Sequence, residues 1–316
     1  MYFGVCSSLD TFCSQAYGAK NQEELSSVLK KGLAILAFLS LPLGCVFMCT
    51  GKILVWLGQD SQAAEAADTY MVHLVPGIIA LVAQEALQRY LRSQNIFSCL
   101  LYISGASLVF HVVACYSLVH LMELGLKGAA LASVGTYWVQ FTLTVAYIEL
   151  LKPCQVNWRL DSKSFQEWGP ILRLGLPGIG MYMIEWWSFE SSTIFAGNLG
   201  GSNLGAHLGV LAIFELMEMI TLGVSLVVGT LVGNHLGEGK PESAQRVAKI
   251  CLYISLVLCS FTNLVIIWLR DFWASLCTSD SEVVKLMITI MPIYAGAQFC
   301  DAINDVIMGV LTVSST

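Results

Sequence analysis

The chain holds 316 residues, 56% of them hydrophobic and only 12% charged, with a net charge of −6 and a mean hydropathy of +0.70. A water-soluble domain carries about 25% charged residues, so the polar surface here is too small to cover a soluble globule and most of the surrounding solvent must be lipid. The acidic balance offers no basic stripe for nucleic acid, and the 11 cysteines include no CxxC pair from which a zinc or disulfide framework could be built.

Taken in chain order, eight windows are long and apolar enough to cross a bilayer as helices. They lie near 32–50, 69–91, 98–120, 126–149, 171–196, 205–233, 247–269 and 283–311, with a helical stub at 1–17. Helices are expected because lipid offers no partner to free backbone groups. No basic region follows Met1, so no signal peptide is expected. Pro42, Pro76, Pro177 and Pro292 interrupt four of the windows, where each either bends a packed helix or frees carbonyls along a cavity.

The connections alternate in charge. Lys20, Lys30 and Lys31 fall in the first, Arg89 and Arg92 near the third, Lys152, Arg159, Lys163 and Arg173 near the fifth, and Lys240, Arg246 and Lys249 in the seventh. The others hold Lys52, Lys127, Arg270 and Lys285 alone. Basic residues mark the cytoplasmic side, so every second connection is expected there, as eight spans require.

A repeat runs through the chain. The segment DTFCSQAYG at 10–18 returns in pattern as GTLVGNHLG at 229–237, pairing Thr11 with Thr230, Gln15 with Asn234, Gly18 with Gly237 and, beyond, Glu23 with Glu242. Asp60 corresponds to Asp280 and Pro76 to Pro292, and an acid follows each proline after nine residues, Glu85 and Asp301. Both copies start at the cytoplasmic end of a span, so they form a parallel repeat of about six spans, an arrangement of transporters that rock two halves about a midplane site. The expected organisation is an N-terminal helical half at 1–150, a cytoplasmic linker at 151–168 and a C-terminal helical half at 169–316.

Carboxylates inside spans are costly and mark function unless they pair. Glu185 and Glu190 flank Trp186 and Trp187, Glu215 and Glu218 lie in the next window, Glu85 in the second and Asp301 and Asp305 in the last. No lysine or arginine lies mid-span. An acidic interior of this kind suits a cationic solute or a proton, since carboxyls withdrawn from water take up protons more readily. Glu85 and Arg89 are four apart and can also pair on one helix face. Glu185 and Glu190 are five apart, about 140° around a helix, so both face one narrow cleft only if the helix bends, as Pro177 allows. Tyr182, Trp186 and Trp187 suit a flat organic cation, although tryptophans also pack and sit at membrane interfaces. His73, His111 and His207 read as core or interface residues. No nucleophile elbow, P-loop or metal-ligand spacing appears, so no enzyme is expected.

Three stretches together resemble the multidrug and toxin extrusion (MATE) family. SLDTFCSQAYGA at 8–19 is similar to its signature at the end of the second helix, EWWSFE at 185–190 to its seventh-helix motif in the eukaryotic branch, and GNHLGEG at 233–239 to the repeat of the first motif after the eighth helix; YLRSQ at 90–94 is similar to the end of its fourth. The resemblance implies an all-α bundle of two six-helix repeats, with about eight complete spans here, that exports organic cations in exchange for protons or sodium and needs no other cofactor or metal. It implies proton and cation handling by Glu185, Glu190 and Asp301; Glu215 and Glu218 stand near Ala212 as substitutes for the acid or amide expected there, and Glu85 joins the candidates as an intramembrane acid in its own right. Asp10, Gln15, Gly18, Pro177, Asn234 and Gly237 fall in motif or hinge positions. The sequence departs from the family at Leu231, where a basic residue is usual, and at Ala212, where an acid or amide is. Against the family pattern the first helix, most of the second and the last helices are missing, so a truncated form is expected, and an inactive one is an alternative. A lipid-linked sugar flippase is another, although phosphate would call for basic residues in the cavity. A monomer in the plasma membrane, or in an organelle membrane, is the expected setting.

Overall fold

The computed structural model describes residues 2–58, 60–154, 156, 158 and 162–314. Of the residues discussed above, Met1 and Arg159 lie outside that set, as does the side chain of Lys163. All regular structure among the described residues is helical. The stub is α1 (Tyr2–Gly18), and the eight windows are α2 (Gln22–Met48), α4 (Ser61–Ser93), α5 (Ser98–Tyr116), α6 (Gly125–Leu151), α7 (Gly169–Asn198), α8 (Gly201–Gly237), α9 (Pro241–Trp268) and α11 (Ser281–Ser314). Two short helices that the windows did not contain, α3 (Thr50–Trp56) and α10 (Arg270–Cys277), follow α2 and α9. Among the described residues six helical segments, including α5 with the π-helical turn Ser117–Leu121 that continues it, are long and apolar enough to cross a membrane. At 27 and 30 residues, α6 and α7 reach roughly 40 Å or more, long enough for the same task, but they are less apolar and are not among those six.

Local chemistry sets the helix starts. The Asn21 side chain accepts from the Glu24 N–H and Asp60 from those of Gln62 and Ala63, while Asp280 accepts from the Glu282 N–H at 2.9 Å. Because the Asn21 cap lies well before the apolar window, Lys30 and Lys31 stand inside α2 rather than in a connection, and Lys30 is buried. All four prolines lie inside helices, in α2, α4, α7 and α11.

The packing repeats as the motifs do. α2, α3 and α4 follow α1 in the order in which α9, α10 and α11 follow α8. Asp60 and Asp280, paired by sequence, cap α4 and α11. One core joins α1, α2 and α4 around Leu9, Leu25, Leu36 and Leu87, with Ile171 of α7. Two more join α8, α9 and α11, one around Val210, Ile266, Met287 and Met291, the other around Val228, Val232, Cys251 and Val306. Between lipid-exposed helices such cores are held by close packing rather than by the hydrophobic effect, because lipid is as apolar as the side chains. Large apolar side chains cover the outside, among them Leu101, Tyr102, Leu108 and Val109 of α5. That is the surface a bilayer requires.

Candidate functional site

The repeated motifs meet each other. Where α1 crosses α8, a Cβ on Gly18 would stand 2.0 Å from the Asn234 carbonyl oxygen, and a Cβ on Gly237 would stand 2.2 Å from that of Gln15. These are the paired residues of the two motifs, so each glycine clears space for its counterpart's neighbour, and the two helices approach more closely than any side chain permits. Ser14 lies against Gly233 at the same crossing. Polar groups close the seam: the Thr11 hydroxyl donates to the Thr312 carbonyl at 2.6 Å, the Gln15 amide donates to the Val313 carbonyl at 2.8 Å, and the Asn234 amide donates to Asn95 Oδ1 at 3.5 Å. All of this lies at the C-terminal ends of α1, α4, α8 and α11, the side on which Lys20, Arg92 and Lys240 also lie.

Above the seam, the N-terminal half contains a charge network. Arg89 of α4 reaches Asp10 of α1 and Glu85 of its own helix, both at 3.5 Å, and Arg92 reaches Asp10 at 3.6 Å. The two arginine side chains are 6% and 10% exposed, so their charge is carried in a largely dry place by the carboxylates. The i,i+4 pairing of Glu85 with Arg89 is therefore present, and Asp10 joins it from another helix.

The C-terminal half contains a second cluster, of carboxyls alone. Glu218 of α8 lies within electrostatic reach of Asp305, Asp301, Glu185 and Glu215, and Asp305 within reach of Glu185 and Asp301. Asp301, Asp305 and Glu218 come from α8 and α11, and Glu185 from the middle of α7. Asp305 is buried, its Oδ2 accepts from the Thr221 hydroxyl at 3.4 Å, and its main-chain carbonyl accepts from Ser225 at 2.6 Å. His207 helps hold the three helices in register, bonded to Tyr294 of α11 at 2.5 Å and to Thr193 of α7 at 3.1 Å.

The structure thus brings Glu185, Asp301, Glu215 and Glu218 together and adds Asp305, whereas Glu85 belongs to the arginine network. Glu190 is exposed, as the 140° separation from Glu185 implies, and Pro177 is exposed as well. Trp186 and Trp187 are 57% and 62% exposed. Tyr182 is half-buried and lies between the two clusters, within electrostatic reach of both Arg89 and Glu185. Among the described residues no group of His, Cys, Asp and Glu is arranged to hold a metal ion.

Comparison with known proteins places these features in a family. The family model described as MatE matches residues 1–117 and 177–315. Protein DETOXIFICATION 16 of Arabidopsis thaliana is 32% identical over 97% of this chain and 64% of its own length. Multidrug and toxin extrusion protein 1 of Homo sapiens is 28% identical over 98% of this chain and 54% of its own. The crystal structure of the eukaryotic MATE transporter AtDTX14 superposes with a TM-score of 0.91 at 28% identity, covering 99% of this chain and 71% of that one. The chain therefore spans just under two thirds of the first of these relatives and about half of the second.

Proposed function

The chain belongs to the MATE family, and on that footing we propose that it is a secondary antiporter that exports organic cations in exchange for protons, or for sodium. The observation that carries the reading is the carboxyl cluster of Glu185, Glu218, Asp301 and Asp305, drawn from three helices and facing no arginine or lysine among the groups that interact with it. Like charges held together are relieved by a proton or by a cation, and either ligand weakens the hold on the other. Glu185, half-buried, contributes from α7 with Asp301 as its electrostatic neighbour, and Glu218 reaches every other member. The exposed Trp186 and Trp187 on the same helix are aromatic faces available to a flat cation.

Transport needs the two ligands to bias two arrangements of the halves differently. In the arrangement seen here the motifs close the end on which Lys20, Arg92 and Lys240 lie. In this reading that end is cytoplasmic, so the cluster communicates with the opposite side, where an arriving proton displaces the organic cation. A phosphate-carrying flippase is less well supported, because the guanidiniums that would bind phosphate, Arg89 and Arg92, are engaged by Asp10 and Glu85. The protein acts as a monomer in the plasma membrane or an organelle membrane.

The test is uptake of a fluorescent organic cation into vesicles that hold this chain, driven by an imposed pH gradient without sodium and then by a sodium gradient without a pH difference. Gradient-driven uptake that disappears in Glu185→Gln, at an unchanged amount of protein in the membrane, is expected. Absence of uptake under both gradients, or full uptake by Glu185→Gln, contradicts the proposal.

A further inference from the structure

The two halves place opposite charges at one equivalent position. Residues of α1 and α8 correspond at a separation of 219, and those of α4 and α11 at 216 from the prolines onward. On those separations Cys6 corresponds to Ser225, Glu85 to Asp301 and Arg89 to Asp305. The contacts follow the same correspondence: the Arg89 guanidinium reaches the Cys6 thiol, and the Asp305 carbonyl accepts from the Ser225 hydroxyl. Each half thus sets an acid on its proline-bearing helix and, one turn further on, a residue held against the partner helix. In one half that residue is a cation and in the other an anion.

We propose that Arg89 is a built-in counter-cation, which fills in the N-terminal half the role that a bound cation fills in the C-terminal half, and thereby confines cation binding to the latter. The inference rests on the proposed cation site and adds what excludes a second one. Around Arg89 the facing groups are Asp10, Cys6 and Cys13 of α1, Glu85 and Arg92 of α4, and Tyr182 of α7. Two carboxylates there meet two guanidiniums, so the network has no net charge to offer a ligand. A soluble cation would have to displace a tethered one that is almost wholly buried and holds a different carboxylate with each terminal nitrogen. Around Asp305 the facing groups are Glu185, Asp301, Glu218 and the Thr221 hydroxyl, with no basic member. At the position of Asp10 the other half has Gly229, so the four-member network has no counterpart there.

The experiment is equilibrium binding of ethidium to the purified chain in lipid nanodiscs. Neutralising the C-terminal cluster with Glu185→Gln, Glu218→Gln, Asp301→Asn and Asp305→Asn is expected to weaken binding by roughly tenfold or more, the scale of losing an opposite charge at a partly desolvated contact. Adding Arg89→Gln to that variant restores a site, and adding Arg89→Lys does not. A neutralised Arg89→Gln chain that elutes as one species and still binds no ethidium overturns the proposal, as does a neutralised chain that binds like the unmodified one with Arg89 in place. Should the unmodified chain bind no ethidium, the proposed function fails for this probe. A gain of binding in Arg89→Gln alone then still supports the inference, and the lack of one refutes it. If Arg89→Gln does not fold, Asp305→Arg gives the converse reading: it abolishes ethidium binding where Asp305→Asn only weakens it, and equal effects of the two overturn the proposal.

Discussion

At the scale of single residues, what matters is which carboxyls have a cation beside them. Glu85 is held by Arg89, and Glu185, Asp301 and Asp305 are not held by any basic side chain among their interacting neighbours. This difference predicts the pH dependence of cation binding. Under the proposed exchange, protons and organic cations compete for the same carboxylates, so affinity for ethidium is expected to fall as the pH falls. The limit is about tenfold per pH unit for an exchange of one proton per cation. Binding isotherms between pH 8 and pH 5.5 check it, and the slope flattens in Glu185→Gln; an affinity independent of pH contradicts it. The acids themselves were legible in the sequence, because an acid inside an apolar window is costly unless it pairs or faces a cavity. Their grouping was not. Glu85 and Asp301 have the same spacing from a proline, and only the fold reveals that Asp10, two turns from the end of a neighbouring helix, comes to sit beside Arg89. Asp305 was visible as an intramembrane acid, but nothing in the one-dimensional pattern set it with Glu218 rather than leaving it at the helix end. Its correspondence to Arg89 could have been read by carrying the proline spacing one turn further.

At the scale of elements, all eight apolar windows became helices, since the length of apolar run that lipid demands leaves no other structure. The short helices α3 and α10 were not visible because 7 and 8 residues are too few to register in a window meant for spans. Helix starts were also misplaced where a cap lies outside the apolar run, as Asn21 does for α2. Asp280 is such a cap, and Asp280→Ala is expected to lower stability by about 1 kcal/mol, read as a fall in the unfolding temperature without a change in ethidium binding. Close approach of α1 and α8 makes a sharper prediction. A side chain at Gly237 meets the Gln15 carbonyl well inside contact distance, and backbone cannot yield as a flexible side chain can. Gly237→Leu should therefore part the two helices. Introduced into a Ser14→Cys chain, whose position 14 is fully buried in the seam, it should raise at least several-fold the rate at which a bulky water-soluble maleimide labels position 14, resolved from the chain's own exposed cysteines by peptide mapping. Equal labelling of the two chains contradicts a seam held by that glycine.

At the scale of the whole molecule, the repeat gives two similar frameworks and the sequence then makes them chemically unlike. The repeat fixes where α1 crosses α8, since the crossing lies at the motifs that match between the halves. The charges differ: one half is neutralised from within by Arg89 and Arg92, and the other presents carboxyls without basic partners. An antiporter in this reading uses the shared framework to move and the difference in charge to bind. Its architecture was legible in composition, window lengths and the repeat, and the family resemblance rested on three short motifs that the fold brings to the seam and to the acidic helix α7. Exchange at the acidic cluster is tested at its root by proton release on cation binding. Ethidium is added to the purified chain in weakly buffered solution near pH 7 with a pH-sensitive dye. Protons are expected to leave as ethidium binds, and Glu185→Gln is expected to release fewer or none. Ethidium that binds with no release of protons, with sodium absent, is incompatible with proton exchange at that cluster.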